Sequence, residues 1–457
     1  MIEKRDVAVV GGGFAGLSAG VALAERGFRV AVVERKPALG GRAYSFKDPD
    51  SGDFIDNGQH VLMGCYRETL DFLGRIGARE QLFFHPNLEI EMLERGGRRG
   101  WLRTAPMPGP LHMSAALLRY RLLTARERWR VVAGSAQMLR LRRRDPAALE
   151  HLTVAALMER LGQGARERAC FWYPLATATL NDDPEIASAA LLAEVIKRAF
   201  FGRRSDSAFV YSRVGLSDLY CTAAAEFIEQ RGGVVARHSA VETLELGADG
   251  ELARIRLRDG GALEAANFVL AVAPPQLLRM LPAPLAADPF FAPLEGLGVS
   301  PIICVHVWLD REVTEAAFIG FIGTATQWLF NKRRIFAQHG AHHGGYLSFV
   351  ISGARQLVDR SNDELLELVV GDLRAMIPAA GAARVVKALV IKEKQATMAP
   401  DLESHRLRPG VVTPIKNLFI AGDWIQTGLP ATIESAVMSG RMAATALAAR
   451  VGVLEAA

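Results

Sequence analysis

Hydrophobic and polar positions along this chain change period from element to element. Near the start, Val7-Ala8-Val9-Val10 is an unbroken apolar run, the mark of a strand buried on both faces of a parallel sheet. Residues 14–26 then place Leu17, Val21 and Ala24 at helical spacing, and Gly27 stops the helix. Residues 29–33 predict a second strand. A strand–helix–strand opening of this kind predicts an α/β fold built on a doubly wound sheet.

Further along, residues 68–76 predict a short helix. After the proline-rich stretch 106–110, one long helical region is expected over 113–144 and more helices over 147–200. The texture then reverts: a helix at 217–230, then strands at 234–236, 255–257 and 268–272. Residues 281–409 mix strands, at 302–309 and 346–351, with a helix at 362–376. A strand at 418–421 and an alanine-rich helix close the chain. This order predicts a discontinuous Rossmann-type domain made of residues 1–75, 211–280 and 410–457. Two insertions, 76–210 (mostly helical) and 281–409, are expected to form an α+β substrate domain.

Composition narrows the class. Half of the 457 residues are hydrophobic and 23% are charged, which excludes a disordered chain. The net charge of +5 is too small to suggest nucleic acid, though it suits an anionic surface. Four scattered cysteines, Cys65, Cys170, Cys221 and Cys304, form no CxxC pair, so no metal site is expected. Residues 7–24 carry no charge, but Gly11, Gly12 and Gly13 would break a spanning helix, and no other run is long enough. A cytoplasmic protein is expected. Nine arginines between Arg119 and Arg144, interleaved with leucines and Trp129, suggest that the 113–144 region rests on an anionic membrane.

The chemistry begins at Gly11-Gly12-Gly13-Phe14-Ala15-Gly16, a GxGxxG between a strand and a helix. Gly11 permits the tight turn, Gly13 the approach of a pyrophosphate, and Gly16 close helix–strand packing. The pyrophosphate then faces the free amides that open the helix, among them those of Phe14 and Ala15. Glu34, 23 residues after Gly11, suits the hydroxyls of a ribose. Gly162-Gln163-Gly164 lacks a third glycine and a flanking strand, and reads as a helix-ending turn. With a single fingerprint, the electron donor stays unidentified.

Arg35, Gly41 and Arg42 follow in a tract that resembles the second loop of the flavin amine oxidase and phytoene desaturase superfamily. Asn417 to Trp424, with Gly422-Asp423, resembles the last strand of that family, and Thr432-Ile433-Glu434-Ser435-Ala436 its closing helix. Val241 matches the valine whose backbone holds the adenine. The resemblance implies FAD, and no cysteine follows Cys304, so the flavin is expected to be noncovalent.

The string Asp56-Asn57-Gly58-Gln59-His60 is more specific, and resembles the hydroxysqualene dehydroxylase group. That resemblance places Asn57 and Gly58 beside the flavin. It implies reductive removal of an allylic hydroxyl from an apolar isoprenoid, with hydride from reduced flavin N5 captured by an allylic cation. His60 is the candidate acid; Tyr66, His306 and Tyr346 are further polar candidates. A polyprenyl desaturase, with electrons running the other way, and a lipid carrier without catalysis are the alternatives.

Overall fold

The computed structural model describes residues 5–340 and 343–453; the ends of the expected domains at 1–4 and 454–457 lie outside the described residues. Strand β1 (Arg5–Val10), helix α1 (Phe14–Glu25) and strand β2 (Val30–Val33) form the expected opening. β1 lies parallel between β2 and the strand Ala262–Leu270, and Val234–Ala236 continues the sheet beyond β2.

The strand Ala262–Leu270 is shared. Its first half pairs antiparallel with Leu252–Leu257, and its second half pairs parallel with Leu418–Ile420. The closing helix Ile433–Arg450 packs along α1, where a Cβ on Gly440 would lie 2.2 Å from the Ala15 carbonyl oxygen. Valines and alanines of β1 and β2 are almost wholly buried, as expected of strands covered on both faces.

A second seven-stranded sheet is built from the two insertions. Its strands come from 299–309, 318–322, 328–331, 346–352 and 385–398, joined by Glu89–Glu94 and Arg99–Arg103. Those last two strands fall in a segment expected to be mostly helical. Their apolar positions alternate with Glu91, Arg99 and Arg103, a period of two that the short length disguises.

The arginine-rich region is also corrected. It is two helices, Leu111–Leu118 and Ala125–Arg144, with a break at 119–124. Thr124 causes the restart: its side chain accepts from the Glu127 amide while Glu127 reaches back to the Thr124 amide, a capping box.

Candidate functional site

A cavity of about 590 Å³ runs from the glycine-rich turn into the second sheet. Gly11, Gly13, Phe14, Ala15, Glu34, Arg35, Gly41, Arg42, Asn57, Gly58, His60, Gly422, Asp423, Thr432 and Ile433 all line it. Gly16 and Val241 do not. Gly16 acts in packing, because a Cβ there would lie 1.9 Å from the Gly11 carbonyl oxygen. Val241 starts the strand Val241–Leu246 with its side chain buried in the core of the first sheet.

At the glycine-rich end the turn is tight for a stated reason: Gly11 has φ +109° and packs against the Ala271 carbonyl. Helix α1 starts without a side-chain cap, which leaves the amides of Phe14 and Ala15 as donors at the cavity wall. Glu34 accepts from the amides of Gly12 at 2.8 Å and Lys36 at 2.9 Å, one on each carboxylate oxygen. Its carboxylate is thereby fixed with lone pairs to spare.

Loops from distant segments meet around the middle of the cavity. Arg42 donates to Asp423 at 2.6 Å and to the Ala396 carbonyl at 3.0 Å. Asn57 donates to the Arg42 carbonyl at 2.7 Å and accepts from the Tyr44 amide, so it clamps the second loop as well as lining the cavity. Tyr220 buttresses the same loop. Its ring stacks on Phe14 at 3.7 Å, and its hydroxyl lies 2.9 and 3.0 Å from the carbonyls of Gly40 and Ala43. Arg408, buried, donates to the carbonyls of Asp423 and Trp424 and holds the loop after the last strand. Desolvation pulls its pKa down to about 10, so it remains charged. Nothing in the local sequence distinguished Tyr220 or Arg408 from ordinary core and surface residues.

Glu434, in the first turn of the closing helix, accepts from the amides of Glu68 and Thr69 and from the Thr69 hydroxyl. It thus caps the helix Arg67–Arg75 and fixes Tyr66, which lines the cavity. His306 and Tyr346 lie elsewhere, wholly buried behind the wall. Nδ1 of His306 lies 3.1 Å from the Tyr346 hydroxyl, which donates to the Phe54 carbonyl. Neither residue is in the lining, which removes both as acids for a bound substrate.

His60 does reach the cavity, and its ring makes no hydrogen bond among the described residues. Burial lowers its pKa, and Lys332 and Arg42 push the same way, with Asp56 opposing. The imidazole is therefore neutral at neutral pH rather than the standing imidazolium that an acid role suggests. Beyond it the wall turns apolar, through Leu88, Met92, Leu102, Tyr120, Phe171 and Phe200.

Residues 14–448 match the family described as flavin containing amine oxidoreductase. The chain belongs to that family. It is 25% identical to a 15-cis-phytoene desaturase of Synechococcus elongatus, over 97% of this chain and 96% of the relative. It is also 25% identical to the hydroxysqualene dehydroxylase of Zymomonas mobilis, over 95% and 97%. A putrescine oxidase triple mutant shares the fold with a TM-score of 0.73 at 18% identity, covering 98% of this chain and 99% of that one. These findings fix a flavin oxidoreductase fold and a flavin cofactor.

The residues fit such a cofactor. Free helix amides, an oriented carboxylate and an Arg–Asp bridge are what a nucleotide's pyrophosphate and riboses require. As a family member the chain would hold the flavin between Glu34 and the first turn of its closing helix. No helix among the described residues is long and apolar enough to cross a membrane.

The arginine-rich helix looks different in place than in sequence. On the helix Ala125–Arg144, Val131 and Met138 are buried, as are Leu117, Leu122 and Leu123 before it, so the apolar side faces the core. Arg130 pairs with Glu167 and Arg142 with Glu194. What faces outward is Trp129, 62% exposed, with Arg126, Arg140, Arg143 and Arg144.

Proposed function

We propose that the chain binds FAD noncovalently and removes the allylic hydroxyl of hydroxysqualene reductively, giving squalene for hopanoid synthesis. The observation that carries this reading is the division of the cavity. One end is built for a nucleotide, the far end is apolar, and polar groups with unused hydrogen-bonding capacity stand between them at Gln59 and His60. Asn181, which also lines the cavity, is already satisfied, donating to Thr397 at 2.8 Å and accepting from the Gly353 amide at 3.0 Å. A bound flavin supplies reversible two-electron chemistry. The protein's own task is to exclude water, hold the chain, and deliver a proton to the departing oxygen. His60, neutral at rest, takes that proton from solvent and gives it up readily because its pKa is low.

The phytoene desaturase relatives favour a second reading, oxidation of a polyprenyl chain in the same cavity, with His60 accepting a proton instead. One experiment separates them. Protein reduced without oxygen is mixed with hydroxysqualene, oxidised protein with phytoene, and the products are identified by mass. Squalene from the first mixture supports the proposal; a desaturated product from the second, with none from the first, replaces it. A colourless protein that takes up no flavin would leave only lipid carriage.

The substrate would arrive from a bilayer, and Trp129 with its four neighbouring arginines is the surface we assign to an anionic membrane. Each arginine near such a surface contributes about 1 kcal/mol.

A further inference from the structure

Lys332 is buried and lies outside the cavity lining, and apart from its charge acting on His60 it has no part in the chemistry above. Its ammonium donates to Oδ2 of Asp56 at 2.9 Å and to Oε1 of Gln59 at 2.6 Å. It also sits 3.9 Å from the centre of the Phe336 ring. The other oxygen of Asp56 accepts from the Leu216 amide at 3.2 Å, so the carboxylate cannot swing away.

An ammonium has donors only. The Gln59 amide is therefore not free to turn round: its oxygen must face Lys332 and its NH₂ must face away. From that NH₂ one contact reaches the His60 carbonyl at 3.5 Å, a long and weak bond. The second N–H has no partner among the described residues, and Gln59 lines the cavity. A buried ion pair thus fixes an amide as a donor at the boundary between the nucleotide end and the apolar end. A pure hydrocarbon offers such a donor nothing.

Resting on the isoprenoid reading of the cavity, we infer that Gln59, oriented by Lys332, donates a hydrogen bond to an oxygen bound in the cavity. That oxygen is the hydroxyl of an isoprenoid alcohol or a carbonyl of the flavin. Where the oxygen is the alcohol's, Gln59 is the contact that tells an alcohol from the matching hydrocarbon; in either case Lys332 is its positioning residue.

Binding without turnover tests this. Flavin-loaded, oxidised protein is titrated with hydroxysqualene and with squalene, followed by tryptophan fluorescence, while the flavin spectrum and reduction potential are recorded. Wild type should bind the alcohol about tenfold more tightly than the hydrocarbon, the worth of one buried hydrogen bond. Gln59→Met and Lys332→Met should bring that ratio close to one with squalene affinity kept. An unchanged ratio with a shifted flavin spectrum or potential in Gln59→Met assigns the oxygen to the flavin. If Gln59→Met alters neither, the inference is wrong, whatever becomes of the Lys332 variant. No catalysis is measured, so failure to dehydroxylate hydroxysqualene would remove the proposed reaction and leave this result standing.

Discussion

Arg42 and Asp423, 381 residues apart in the chain, meet at 2.6 Å in the wall of the cavity. The pairing raises the pKa of the Arg42 guanidinium, chiefly through the Asp423 charge. It joins the second glycine loop to the loop after the last parallel strand, two segments of the cavity wall that would hold a flavin. Arg42→Ala should therefore loosen the flavin while the fold survives. The loss of a charge-assisted hydrogen bond is worth about 1.5 kcal/mol, roughly tenfold in affinity. Equilibrium dialysis, with the visible absorbance of retained flavin as the readout, measures it; wild-type affinity in the variant would show that the bridge bears no load.

For His60 the sign of the pH dependence follows from its environment. Burial depresses its pKa below 6.5, so the protonated fraction grows only as pH falls through that lower value. Single-turnover dehydroxylation by pre-reduced protein should accelerate on acidification below pH 6.5 and level off. His60→Gln should flatten the profile and slow the reaction about a hundredfold at its optimum, with flavin content unchanged. A rate that climbs with pH would instead remove His60 as the proton donor of this reaction.

Stability has its own pH signature in His306. Burial pushes this residue down to about 3, so the folded protein keeps it neutral where the unfolded chain protonates it. Its contribution is complete above pH 6.5 and is lost as pH falls from 6.5 toward about 3. Within that window the unfolded state binds one more proton, which lowers stability by about 1.4 kcal/mol per pH unit. Urea midpoints measured through the window should fall less steeply in His306→Gln. Parallel slopes for the two proteins would contradict this.

Membrane docking is testable on the outward face of the helix Ala125–Arg144. Binding to anionic vesicles should weaken with salt, since the screening length is about 8 Å at physiological ionic strength. Changing Arg143 and Arg144 to Glu should abolish it, and Trp129 emission should shift to the blue on binding. A protein that stays in the supernatant with anionic vesicles at low salt has no such surface.

What the sequence made legible is what is local. The strand, turn and helix around Gly11, the acid at Glu34 and the helix Asn362–Met376 are written in spacing and capping, and they stand where the pattern puts them. The site is legible only in part, because its remaining parts come from contacts across the fold. Lys332 meets Asp56 from 276 residues away, and Tyr220 reaches Gly40 from 180. Neither partner carries a local mark. The direction of an amphipathic face is equally hidden: leucines and arginines interleave over 113–144, but only packing decides that Leu117 and Val131 point inward. The neutral state of His60 follows first from its burial and then from Lys332 and Arg42, which no window around residue 60 contains.

The shared strand Ala262–Leu270 also sets the order in which the protein can be completed. As the chain leaves the ribosome, β1 and β2 emerge early, yet β1 must wait for residues 262–270, and that strand in turn waits for residues 418–420. Helix α1 stays uncovered on one side until the residues around Gly440 arrive. The half-made sheet thus presents an open apolar edge through most of synthesis, the kind of intermediate that aggregates unless a chaperone shields it.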